Sequence, residues 1–207
     1  MSDPNPQVFK TSQPRELLAC VEFAAEQSHR VAIDHGSWRW LIISVALAVQ
    51  NACLCALDAR DESGLKGMSR ADAREIRRWT KGGRQGPEPL AVREPRIVSP
   101  LELLRRCADP YYLPPPWQLS LPHDLQGELR DLFDLRNTFL HFSEDGWTLD
   151  LADVPPLVLA ACSVIRHLSV TQPAYLSRAE RGHRDRVRVG LETIEAAMEH
   201  YADGAAP

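Results

Sequence analysis

The stretch WRWLIISVALAVQNACLCALDA, residues 38–59, decides the fold. Laid out as a helix, it is apolar on most faces, with Gln50 and Asn51 as its interruption. A helix that is hydrophobic all round has to be surrounded by other elements. The stretch therefore predicts the central helix of a bundle, opened by Trp38 and Trp40 and capped by Ser37. Its most apolar run, 41–49, lies between Arg39 and Gln50. Crossing a bilayer needs ~20 consecutive apolar residues, so the run predicts a buried core helix and no membrane partner.

Upstream, residues 14–29 carry Leu17, Leu18, Val21, Ala24 and Ala25 as a stripe of helical period, with Pro14 suited to a first turn. Asp34-His35-Gly36 breaks the chain, and so short a break predicts an antiparallel pair. Downstream, 121–142 reads as a helix with Leu125, Leu129, Leu132, Leu135, Phe139 and Phe142 on one broad face. Residues 147–151 read as a short extended piece. Asp153 is placed to cap a helix over 154–170, and a last helix is predicted over 183–201.

The block between these long helices differs in character. Two short helices are predicted, 70–80 capped by Ser69 and 99–108 with Pro100 in its first turn. KGGRQGPEP, 81–89, reads as loop, and PYYLPPPW, 110–117, as an extended proline-rich connector. The block is too poor in apolar residues to build a core of its own. The expected architecture is all-α: one domain over 1–207, a helical bundle of four to five long helices, with 61–118 inserted across one end.

Hydrophobic residues make up 44% of the 207, which suffices for a core, and the net charge of −4 excludes a whole-protein field that attracts nucleic acid. An RNA site would have to be a local patch. Five cysteines without a CxxC predict reduced core thiols in a cytoplasmic protein, with neither metal nor cofactor. Residues 1–13 are polar and predict no signal peptide. The motifs GxSxG, GxxxxGK[ST] and HExxH are absent.

Two clusters offer a local patch. Arg70, Arg74, Arg77, Arg78 and Lys81 fall on one helix face beside Trp79, which is able to stack a base or to anchor the insertion. Arg178, Arg181, Arg184, Arg186 and Arg188 form the second, with His183 among them. Either cluster reads equally as a solvated charged face.

The chemistry-bearing residues lie near the end of 121–142. Asp134, Asn137 and His141 form a stripe outside the apolar face, while Arg136 and His141 diverge by about 140° on an ideal helix. To act on one phosphate they need an unwound last turn or a second subunit. Cleaving RNA without metal needs a base for the 2′-OH, an acid for the leaving 5′-oxygen and positive charge on the phosphorane. Histidine serves either proton step, and arginine's fork matches phosphate oxygens. A twofold dimer would bring two of each to one cleft. The spacing R-x4-H occurs three times, at Arg30/His35, Arg136/His141 and Arg178/His183. Of these, Arg136/His141 is set deep in a long amphipathic helix, with asparagine after the arginine and an aromatic after the histidine.

The run LRNTFLHF, residues 135–142, resembles the catalytic segment of HEPN-domain ribonucleases, in which arginine, a polar residue and a histidine close a bundle helix. The resemblance implies a metal-independent endoribonuclease, acting as a homodimer on RNA, with Arg136, Asn137 and His141 at the interface. It further implies a toxin or phage-defence role beside an antitoxin or regulatory protein. The tyrosine that some HEPN toxins carry two residues after the histidine is replaced by Ser143, which excludes control by modification there. The alternative is a non-catalytic helical module of the same type that binds a protein partner, a nucleotide or RNA, with Arg136 simply paired to Asp131 or Asp134.

Overall fold

A computed structural model describes residues 11–58, 67–93, 97–141, 148–171 and 182–202. In chain order the helices are α1 (Gln13–Arg30), α2 (Ser37–Asp58), α3 (Arg70–Lys81), α4 (Leu90–Arg93), α5 (Pro100–Cys107), α6 (His123–Leu140), α7 (Val154–Ile165) and α8 (His183–Ala202). The only strand-like feature among the described residues is an antiparallel bridge between Met68 and Ile97. The all-α class follows.

α2 is the axis of the bundle. It packs against α1, α5, α6 and α7, and 17 of its 22 residues are buried. Gln50 and Asn51, the interruption seen in the sequence, are half-buried, and Asn51 Nδ2 reaches the Cys20 sulfur at 4.0 Å. That contact joins the first half of α1 to the second half of α2, so the two run antiparallel. At the other end the buried Trp38 ring meets Tyr201 edge-on at 4.9 Å, which places the end of α8 beside the start of α2. By length and composition α2 and Leu151–Thr171 each suffice to cross a membrane, but 78% and 67% of their apolar windows are buried in the bundle. The argument from the short run 41–49 is therefore replaced by burial among neighbouring helices.

Local chemistry sets most boundaries. The Ser69 and Ser99 hydroxyls accept from Asp72 N–H at 3.1 Å and Glu102 N–H at 3.3 Å, starting α3 and α5. Three expectations need correction. Ser37 is the first residue of α2 and so does not cap it; Asp34 Oδ1 accepts from Gly36 N–H at 2.9 Å in the turn just before the helix. Asp153 makes no capping hydrogen bond; Asp150 instead accepts from Ala152 N–H at 3.0 Å and starts a single 3-10 turn, Leu151–Asp153, which takes up the last residue of the piece expected to be extended. The helix 154–170 changes at Arg166 into a π-helical segment, Arg166–Thr171. There the Ser169 hydroxyl bonds to Ile165 O at 2.6 Å, so the side chain competes with the backbone ladder.

The 110–117 connector also departs from expectation. It folds into tight turns, with Leu113 N–H on Asp109 O at 2.9 Å and Trp117 N–H on Pro114 O at 3.0 Å. These turns drive Leu113 into the common core, where Leu103, Leu104 and Cys107 of α5 already sit. The block borrows the bundle's core, as its composition requires.

α8 lies against α1 at a closest approach between Gly190 and Val21. A Cβ at position 190 would stand 2.7 Å from the Val21 side chain. Alanine ordinarily favours a helix over glycine by about 1 kcal/mol, but overpacking costs about 1–3 kcal/mol. Gly190→Ala is therefore expected to lower the urea midpoint, and adding Val21→Ala to restore part of the loss. A stabilised single variant would contradict this packing.

All five cysteines are free thiols. Burial, then the Glu195 carboxylate, push the Cys162 thiol from 9.0 up to about 12. Its folded pKa is raised, so its contribution to stability is complete below pH 9.0 and is lost as pH climbs toward about 12. Denaturant stability is expected to fall over that window, and Cys162→Ala to make the fall shallower. Identical slopes would rule this out.

Candidate functional site

The apolar face of α6 anchors Leu129, Leu132 and Phe133 in the core, with Leu125, Leu135 and Phe139 half-buried against it. Phe142 lies outside the described residues. This anchoring turns the opposite face outward at the C-terminal end, where Asn137 and His141 are exposed and Arg136 is half-buried. Arg136 Nη1 donates to Asn137 Oδ1 at 2.9 Å, while Arg136 Nε is buried without a hydrogen-bond partner. Among the described residues, no ion pair joins Arg136 to Asp131 or Asp134. A guanidinium with a buried, unsatisfied N–H is costly, and its fork keeps donors for an anion.

His141 is no longer helical. It takes φ −112° and ψ 77°, and its N–H closes the helix on Asn137 O at 2.9 Å. The unwinding removes the fixed angular relation to Arg136 that a regular helix imposes. Asn137 thus holds the arginine through its side chain and the histidine's backbone through its carbonyl.

A residue that the sequence reading passed over joins this end. Arg39, in the first turn of α2, reaches Phe139 O at 3.5 Å, and its guanidinium lies 5.1 Å from the Trp40 ring. It donates to a carbonyl in the last turn of α6. Trp40 and Leu140, each 47% exposed, bring apolar surface to these two helix ends. The available signal was an arginine between two tryptophans at the start of an otherwise apolar helix.

The second group of candidates lies elsewhere. Arg70, Arg74, Arg77, Arg78 and Lys81 of α3 line one side of a cleft of about 880 Å³. Residues from the end of α5 and the following turns, notably Arg106, Asp109, Tyr111 and Tyr112, complete it. Arg106 is a structural member: it pairs with Glu102 at 3.0 Å, donates to Met68 O at 2.7 Å and lies 5.2 Å from the Tyr112 ring. Trp79 does not line the cleft; it is half-buried, with the Arg84 guanidinium 5.8 Å from its ring. The aromatic exposed there is Tyr111, at 82%.

In the other arginine cluster two members are paired with carboxylates, and Arg184 is exposed. Arg186 bonds Glu22 at 2.7 Å and Arg188 bonds Glu192 at 2.9 Å, while Arg178 and Arg181 lie outside the described residues. Burial pushes the Cys20 thiol up to about 11, and Cys53 is raised by its hydrogen bond with Cys107 and by burial, which disfavours the nucleophilic thiolate at both.

The two candidate groups sit toward opposite ends of α2. Phe139 lies beside Arg39, whereas α5 meets α2 at Cys53, with the Cys107 sulfur 3.9 Å from Cys53 O. Arg39 and Cys53 are separated by about 21 Å at 1.5 Å per residue. No family model matches this chain, and neither a curated protein nor a solved structure matches it.

Proposed function

We propose that the chain is a metal-independent endoribonuclease of HEPN type whose active site is completed by a second copy. One observation carries the reading. At the exposed end of α6, Asn137 holds the Arg136 guanidinium, with no carboxylate pairing it among the described residues, next to a histidine that has left the helix. In the reaction one imidazole takes the 2′-OH proton and the 2′-oxygen attacks phosphorus. The bond to the 5′-oxygen breaks, and a second imidazole protonates that oxygen. The products are a 2′,3′-cyclic phosphate and a 5′-hydroxyl. Arg136 stabilises charge on the equatorial oxygens, and Asn137 positions Arg136. One protomer supplies one His141, so the homodimer supplies both proton carriers. Exposed Leu140 and Trp40 provide apolar material for that contact.

The biological setting that goes with this reading is a cytoplasmic toxin or phage-defence component, restrained by an antitoxin or regulatory protein. The second reading, a module that binds RNA without cutting it, draws support from the basic cleft on α3.

Purified protein in EDTA is expected to cut labelled RNA and leave cyclic phosphate ends. Arg136→Ala and His141→Ala are each expected to lower the rate by about 10²–10⁴-fold with unchanged circular dichroism and melting. Variants that cut at the wild-type rate, or a wild type that leaves RNA intact, would refute the enzyme. For the dimer, Leu140→Asp is expected to shift sedimentation toward the monomer and abolish cleavage together. Full activity in a monomer would contradict the shared site.

A further inference from the structure

We infer that the cleft between α3 and residues 106–112 is a single-stranded RNA groove, acting as a distal grip for the strand that the α6 end cuts. The inference rests on the ribonuclease reading for its second half only. Among the described residues, Arg70, Arg74, Arg77, Arg78 and Lys81 make no ion pair, although the chain carries a net charge of −4. Five uncompensated cations on one face of a twelve-residue helix repel one another, and a polyanion relieves that repulsion. From Arg70 to Lys81 the face runs about 16 Å at 1.5 Å per residue. A stacked strand rises ~3.4 Å per nucleotide, so the face matches roughly five phosphates.

The opposite wall has different chemistry. Tyr111 is 82% exposed and packs edge-on against Tyr112 at 5.1 Å, and Tyr112 in turn carries the buried Arg106 guanidinium. Tyr111 N–H donates to Asp109 Oδ1 at 2.8 Å, which fixes the turn that presents the ring. A fixed, exposed aromatic face is a platform for an unstacked base. The Asp109 carboxylate repels phosphate from this wall and so directs the backbone toward α3. A duplex offers no free base face to Tyr111. A membrane finds no apolar side chain to insert: Ala73 of α3 is buried, and Ile76 and Trp79 are half-buried.

The cleft lies about 21 Å along α2 from the Arg136 end, a distance spanned by about six or seven stacked nucleotides. Holding a strand in this groove while the shared site at the same protomer's α6 end cuts it therefore requires about 12 nucleotides. Shorter strands engage one site at a time.

Fluorescence anisotropy in a His141→Ala background, which keeps the probe whole, tests the groove with a labelled single strand of about 12 nucleotides. Arg74→Glu/Arg78→Glu is expected to weaken binding at least about tenfold and to flatten the salt slope by about 1.4. Tyr111→Ala is expected to weaken binding about 5- to 100-fold for the single strand and to leave weaker duplex binding unchanged. All three side chains are exposed, and melting curves check the fold. Three results overturn the groove: equal affinity for duplex, wild-type affinity in both variants, or capture of anionic phosphatidylserine vesicles without RNA binding. In the His141-intact protein, Arg74→Glu/Arg78→Glu is expected to raise KM for the longer strand with kcat unchanged. Binding without any cleavage by wild type would refute the ribonuclease reading and leave the groove standing; cleavage without binding loss in the variants would do the reverse.

Discussion

A helix with no polar face imposes the arrangement of everything else. α2 has to be enclosed, because each exposed apolar side chain forfeits about 1.5–3 kcal/mol of burial. The enclosure is met by α1, α5, α6 and α7, with α8 closing on α1 and on Trp38. This explains why a block too polar for its own core still folds as part of the domain: α5 and Leu113 are the pieces that finish the wall. It also explains why α6 presents Arg136, Asn137 and His141 outward. Only one side of that helix is needed against α2 and α7.

The enclosure also distributes charge. On α8, Arg186 reaches Glu22 of α1 and Arg188 pairs with Glu192 within the helix, whereas α3 packs lightly on the edge of the bundle and keeps its cations. Two sets of residues with similar composition therefore differ in placement. Two arginines of the first are paired with carboxylates on α1 and α8, and the other set lines a concave surface beside Tyr111. Likewise two arginines meet at the end of α6 with different tasks: Arg39 satisfies a backbone carbonyl, and Arg136 is held by a neutral amide.

The departures from sequence expectation share a cause. Asp34 orders the turn before α2 and lets Ser37 enter the helix, and Asp150 accepts where Asp153 does not, because a carboxylate two residues from an N–H closes a local turn onto it. The proline-rich connector turns instead of extending because Leu113 gains more from the core than the extended chain gains from water. In each case a competitor of similar local strength was decided by burial or by a neighbouring side chain.

Hydrophobic period and capping residues alone determined the all-α class, the course of the long helices and the position of Asn137 and His141 on a polar stripe, with Arg136 turned away from His141. Those features depend on residues within a turn or two of one another. The tertiary structure decided which charges are spent and which are kept, the part played by Arg39, the exchange of Trp79 for Tyr111 and the separation of the two groups along α2. Each of these turns on a contact between segments far apart in the chain, such as Arg39 with Phe139 or Arg186 with Glu22. The free energy of such contacts is set by shared burial, which no local spacing encodes.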